Sequence, residues 1–150
     1  MASSLTMLKR IYRFLRYNHK KKLTLAIWVL TAYYRALILL VPPKKLQPYW
    51  GIQGEESAQT DTVANYRQAV RIAREVVRIA DKTPWESKCL VRALTTQRLV
   101  HRKGIETTLY LGVGKDENGK MIAHAWIRCG EIYLTGGDGS QYSTVAMFRK

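Results

Sequence analysis

Cys89, His124 and Asp138 are the three residues whose types and surroundings combine into a reaction. Cys89 follows Ser87-Lys88 where an apolar helical period begins, so it falls in the first turn of a helix. Unsatisfied backbone N–H groups and the helix dipole favour an anion there, and the thiolate is the reactive form of cysteine. The same N–H groups can hold the oxyanion of a tetrahedral intermediate, with Lys88 adding a neighbouring positive charge. His124 lies mid-strand in Ala123-His124-Ala125-Trp126, where small neighbours let a helix end approach, and Trp126 shares its face. A carboxylate on the next strand or turn would fix the imidazole tautomer, as a nucleophile–base–orienter site requires. Asp138, in the turn Gly136-Gly137-Asp138-Gly139, is the preferred orienter, and Glu131 is the alternative.

Plainer assignments compete with this one. A single cysteine is most often buried and inert, and a single histidine is usually structural. Cys129 is five residues from His124 on the same strand and so faces the other side, a poorer place for a nucleophile. Cys89, Cys129, His101 and His124 contain no pair at finger-like spacing, which argues against zinc. Gly112-Val113-Gly114 is too short a signal for a phosphate loop.

The elements that must position these groups follow from periodicity. Leu5, Leu8, Ile11, Tyr12 and Leu15, with Lys9, Arg10, Arg13 and Arg16 between them, predict a basic amphipathic helix. Leu23–Val41 is an apolar run interrupted by Arg35 and stopped by Pro42-Pro43. The arginine favours a buried or membrane-touching helix over a bilayer span. Residues 51–60 read as a linker between an N-terminal region, 1–50, and a core, 61–150. Asp61 is a candidate N-cap for a helix burying Val63, Tyr66, Val70, Ala73, Val77 and Ala80, with Arg67, Arg71, Arg74 and Arg78 on its solvated face. Thr83-Pro84-Trp85 ends it, and a second helix starts near Ser87 and ends before Gly104, a C′ glycine. From Ile105 the period becomes two, with turns at Asp116–Gly119, Cys129-Gly130 and Gly136–Gly139, which predicts an antiparallel meander packed on helices, an α+β class.

Composition sets the frame. The chain has 150 residues, 47% hydrophobic and 24% charged, which fits one globular domain and excludes disordered, collagenous and disulfide-dense classes. Two cysteines and no secretory signal pattern point to a reducing cytoplasm. The formal charge is +14, and residues 1–50 carry ten basic side chains and no acidic one. Such an arm fits nucleic acid, an anionic membrane surface or an acidic peptide. Tyr12, Tyr17, Tyr33 and Tyr34 fall on apolar faces, which favours core packing over base stacking and hence no nucleic-acid partner.

The block Trp85-Glu86-Ser87-Lys88-Cys89-Leu90-Val91-Arg92-Ala93-Leu94, then Arg102-Lys103-Gly104-Ile105 and Ala123-His124-Ala125-Trp126, resembles the transglutaminase-like cysteine peptidases of lasso-peptide biosynthesis. The likeness is to the stand-alone leader-peptidase half of the split maturation protein, and it covers about residues 60–150. It implies a transglutaminase/papain-like core, a central helix on an antiparallel sheet preceded by N-terminal helices. It also implies Cys89 as nucleophile and His124 as base and then acid. The family's aspartate falls, counted from the histidine, on Gly136, with Asp138 the nearest aspartate. The partners implied are a precursor peptide, a separate leader-recognition protein and an asparagine-synthetase-like cyclase, with no metal or organic cofactor in the cleavage. Peripheral membrane contact by the N-terminal helices is left open. A transamidase or amidase on another acyl donor uses the same groups. A basic adaptor for nucleic acid or membrane is the non-enzymatic reading.

Overall fold

The computed structural model describes residues 2–17 and 20–150; the side chains of residues 2–4, Leu15 and Tyr17 lie outside that description. Five helices and five strands follow in the order α1 (Ala2–Tyr17), α2 (Lys21–Leu40), α3 (Pro43–Leu46), β1 (Ile52–Gln53), α4 (Val63–Ala80), α5 (Cys89–His101), β2 (Thr108–Lys115), β3 (Met121–Cys129), β4 (Ile132–Thr135) and β5 (Ser143–Arg149), with a 3-10 turn at Gln47–Tyr49. The class is α+β, helices against one antiparallel sheet.

Strand alternation decides which face of the sheet is core. The register sets Leu109 beside Ile127 and Phe148, and Leu111 beside Ala125 and Ala146. Partners directly opposite share a face, so these side chains form one apolar surface. Leu109, Ala125 and Phe148 meet Ala93 and Leu94 of α5 there, with Cys89 at the edge of the cluster. Phe148 is fully buried, and a side chain of that size contributes about 1.5–3 kcal/mol on leaving water.

The strand order is β1-β5-β2-β3-β4 rather than a meander. After β4 the chain crosses back over β3 and β5 pairs with the far side of β2. The apolar strip of β2 is thereby covered by hydrogen bonds on both edges, which a sequential meander would leave open.

Residues 51–60, expected to be a linker, are tied to the sheet: Ile52–Gln53 form its edge strand, and the irregular stretch after them packs on β2. β1 pairs with β5, and buried Ser57 takes a 2.8 Å hydrogen bond from its N–H to Thr108 Oγ1. Buried Arg128 donates to Tyr110 Oη at 2.9 Å and to the Ser57 carbonyl at 3.3 Å. The N-cap of α4 is Thr62, whose hydroxyl accepts from Asn65 N–H, while Asp61 accepts from the Thr62 N–H and the Asn65 side chain. The deepest face of α4 is Ala69, Ile72, Val76 and Ile79, rotated from the expected stripe because α2 and α5 both pack on it. Arg67, Arg71, Arg74 and Arg78 are exposed as expected.

Helix α2 is long and apolar enough to cross a membrane, yet one side of it lies against α4 and α5. Ile27 and Thr31 are fully buried, and Thr31 returns its hydroxyl proton to the Ile27 carbonyl at 2.8 Å. Its other side is open, so Tyr33 is exposed, as is Tyr12 on α1; neither is core as the apolar-face argument anticipated. Pro42-Pro43 does end α2, and Pro43 starts α3 at once, as proline can at a first helical position.

Candidate active site

Cys89 is the first residue of α5, half-buried and unpaired in any disulfide. The N-cap, Lys88, is extended and makes no side-chain cap, so the first-turn N–H groups are left for another acceptor. The loop before it is held from two sides. Arg92, one turn into α5, reaches back to the Ser87 carbonyl at 2.6 Å and to Asp81 at 2.7 Å. Thr83 and Ser87 share a 2.8 Å hydroxyl contact. From the other side, α2 holds Trp85: its indole N–H donates to Thr31 Oγ1 at 3.2 Å, and its ring meets Trp28 edge-on at 5.4 Å. Arg35, the interruption in the apolar run, pairs with Glu86 at 2.9 Å. Lys88 also pairs with Glu86, and its hydrogen bond is the first cause holding that carboxyl below its ordinary range, with Arg35 adding to it.

His124 projects from β3 with Trp126. The register puts Gly112 opposite it, and a Cβ on Gly112 would lie 2.7 Å from the Trp126 ring. Only a glycine there lets the indole lie over β2, where it stacks on Tyr110 at 5.5 Å. The imidazole in turn stacks on Tyr142 at 4.5 Å and 23°. Its Nε2 is 2.7 Å from the Gly136 carbonyl oxygen. A carbonyl can only accept, so Nε2 carries the proton and Nδ1 holds the lone pair.

The expected carboxylates are elsewhere. Asp138 is exposed, its Oδ1 accepting from the Ser140 N–H at 2.9 Å, and that hydrogen bond holds its carboxyl below the ordinary range. Glu131 is exposed before β4 with its N–H directed to Tyr66 Oη. Neither bonds to His124. The reason is conformational: Gly136 stands at φ +80°, where a Cβ would strike the Ala125 carbonyl, so this position offers its main chain only. The group that meets the His124 ring in this structure is that backbone carbonyl, while Asp138 bonds to Ser140.

Cys89 and His124 both line one cavity of about 300 Å³, walled by Leu46, Trp50, Leu111 and Ala125. The expected hydrogen bond between Sγ and the ring is not among those of the described residues. Strand alternation explains why: Ala125 faces α5, so the adjacent His124 ring stands on the opposite face with Trp126. Cys129 sits in the core with Ile72 and Val76, and burial pushes its thiol up to about 11. His101 is exposed at the far end of α5. Sequence reasoning missed Arg92 and Tyr142, and it marked Arg35 and Gly136 without finding the groups they contact, because each acts through a partner that no local spacing marks.

The model of the Transglutaminase-like superfamily matches residues 38–147. No curated protein and no solved structure matches the chain. The match takes in the cysteine-led helix, the histidine strand and the turn that orients it, and cysteine-dependent peptidases and transamidases share this fold; the chain belongs to the transglutaminase-like superfamily.

Proposed function

We propose that the chain is a cysteine peptidase that removes the leader from a lasso-peptide precursor, with Cys89 as nucleophile and His124 as base and then acid. The observation that carries this is the pairing, around one apolar cavity, of a cysteine on an uncapped helix N-terminus with a histidine whose Nε2–H is committed to Gly136. That commitment leaves Nδ1 to take the thiol proton. The His124 ring stands on the sheet face away from α5, so the reaction requires a rearrangement of the His124 side chain or of β3 that brings Nδ1 to Cys89, a larger change than the tightening usual in apo sites.

The Cys89 sulfur then bonds to the scissile carbonyl carbon, and the oxyanion is held by first-turn N–H groups of α5. The C–N bond breaks, Nδ1–H returns the proton to the leaving amine, and the core peptide departs. Water, deprotonated by the same nitrogen, hydrolyses the thioester and frees the leader. A separate leader-recognition protein would present the precursor. An asparagine-synthetase-like cyclase would close the macrolactam on the freed amine.

The test mixes the full chain with a gene-neighbouring precursor and its recognition partner and reads the products by mass spectrometry. Cleavage by wild type and none by Cys89→Ala, with unchanged circular dichroism, is the expected result. Full cleavage by Cys89→Ala would remove the cysteine mechanism. Incorporation of a labelled amine in place of water would move the reading to a transamidase.

A further inference from the structure

Leu46 and Trp50 wall the cavity of Cys89 and His124, and they also wall a second groove of about 810 Å³ on their other side. This groove follows α2 from Val29 to Val41, about 18 Å at 1.5 Å per helical residue. Its far side carries Arg98 in the last turn of α5 and Arg102 at that helix's C-cap, with Lys45 and Lys150 at its end. No aspartate or glutamate lines it, and none of these four cations belongs to an ion pair among the described residues.

Among the described residues, exposed cations without an ion pair, such as Arg67, Arg71 and Arg74 on α4, are common on this surface, but a half-buried one such as Arg98 is not. Arg35, Arg92 and Arg149, each half-buried, all hold carboxylates. Within the groove the cations act on one another: burial, and then the charge of Arg98, hold the Lys150 ammonium below its ordinary range. The rim is apolar and open, with Val29 66%, Tyr33 53% and Tyr49 75% exposed. An elongated apolar track flanked by uncompensated cations is complementary to a helix or strand with apolar side chains on one face and carboxylates on the other.

We propose that this groove docks an acidic amphipathic segment of a partner protein, its apolar side chains on Val29, Tyr33 and Tyr49 and its carboxylates on Arg98, Arg102 and Lys45. The proposal goes beyond the peptidase reading and stands without it. A free small anion would use the cations and leave the track empty. A bilayer surface would meet the rim and not the recessed, half-buried Arg98.

The probe is a fluorescein-labelled peptide of about 18 residues with leucine and glutamate at helical spacing, titrated with the full chain and read by anisotropy. A counterpart with lysine for glutamate is the control. Wild type binds the acidic peptide saturably, and Arg98→Glu/Arg102→Glu weakens it by about tenfold or more. Arg67→Glu/Arg71→Glu, the same charge change on the exposed face of α4, alters Kd by less than about twofold. Exposed Arg102→Glu alone weakens binding in the same direction, and tolerates any folding penalty that Arg98 carries. Equal weakening by the α4 pair overturns the proposal, since the attraction would then be bulk charge. So does the absence of saturable peptide binding, or Arg98-dependent binding of phosphatidylglycerol vesicles in its place.

Discussion

His124 gives its Nε2–H to the main-chain carbonyl of Gly136, 2.7 Å away, and Asp138, two residues further on, turns its carboxylate to Ser140 instead. A backbone acceptor fixes the tautomer as a carboxylate does, but it supplies no full charge to stabilise an imidazolium. Stacking on Tyr142 at 4.5 Å places the electron-rich face of a phenol ring against the same imidazole.

The first prediction separates the carbonyl from the carboxylate. Asp138→Asn leaves kcat/KM for precursor cleavage within about threefold of wild type, because the Asp138 hydrogen bond goes to Ser140. Gly136→Ala lowers it by about a hundredfold and costs about 1–3 kcal/mol of stability, since φ +80° and the Ala125 carbonyl exclude a Cβ. Steady-state kinetics and thermal denaturation read both. A larger loss from Asp138→Asn than from Gly136→Ala would restore the aspartate as orienter.

Trp126 yields the second. In Gly112→Ala the new methyl lies 2.7 Å from the indole, which is nearly buried and cannot swing clear. Overpacking of this kind costs about 1–3 kcal/mol, and the displaced indole carries the His124 stack with it. The expected result is a lower melting temperature together with a lower kcat. Activity retained at reduced stability would show that the stack does not position the imidazole.

The third concerns Arg35 and Glu86, joined at 2.9 Å three residues before Cys89. The pair is partly solvated, so Arg35→Met leaves the melting temperature little changed. It frees the loop that leads into Cys89, and on the proposed mechanism kcat falls by about tenfold with KM nearly constant, because a small misplacement of a reacting group is costly. Rescue by Arg35→Lys, which keeps the charge, and loss in Glu86→Gln are the companion results. A wild-type kcat in Arg35→Met would sink the assignment.

How much of this was legible beforehand follows from what kind of group acts. Cys89, His124 and the helix and strand under them announce themselves by side-chain type and by the change of period after Gly104. Gly136 does not, because a carbonyl oxygen is present at every residue and only the φ of the chain aims it. Asp138 drew attention as the nearest carboxylate, but reach depends on which way the turn carries it. Arg35 read as an anomaly in an apolar run because its partner lies 51 positions away along the chain. β5 read as the next strand of a meander because alternation marks a strand without naming its neighbour; pairing across β2 is a non-local choice made by the burial of Phe148.

The two thiols yield the last prediction. Burial raises the Cys129 thiol to about 11, above its unfolded value near 9. A group raised on folding contributes stability that is fully present below the unfolded value and is lost as pH climbs through the folded one. The melting temperature therefore falls between about pH 9 and pH 11, and Cys129→Val, which keeps the volume without the ionisable sulfur, flattens that part of the profile. The same burial protects Cys129 from reagents, while half-buried Cys89 opens onto the cavity. Iodoacetamide on the native protein at pH 8 should therefore give a single adduct, mapped to the peptide carrying Cys89, with loss of cleavage in step with its formation. Modification of Cys129 at a comparable rate would mean that the core around Ile72 and Val76 opens in the native state.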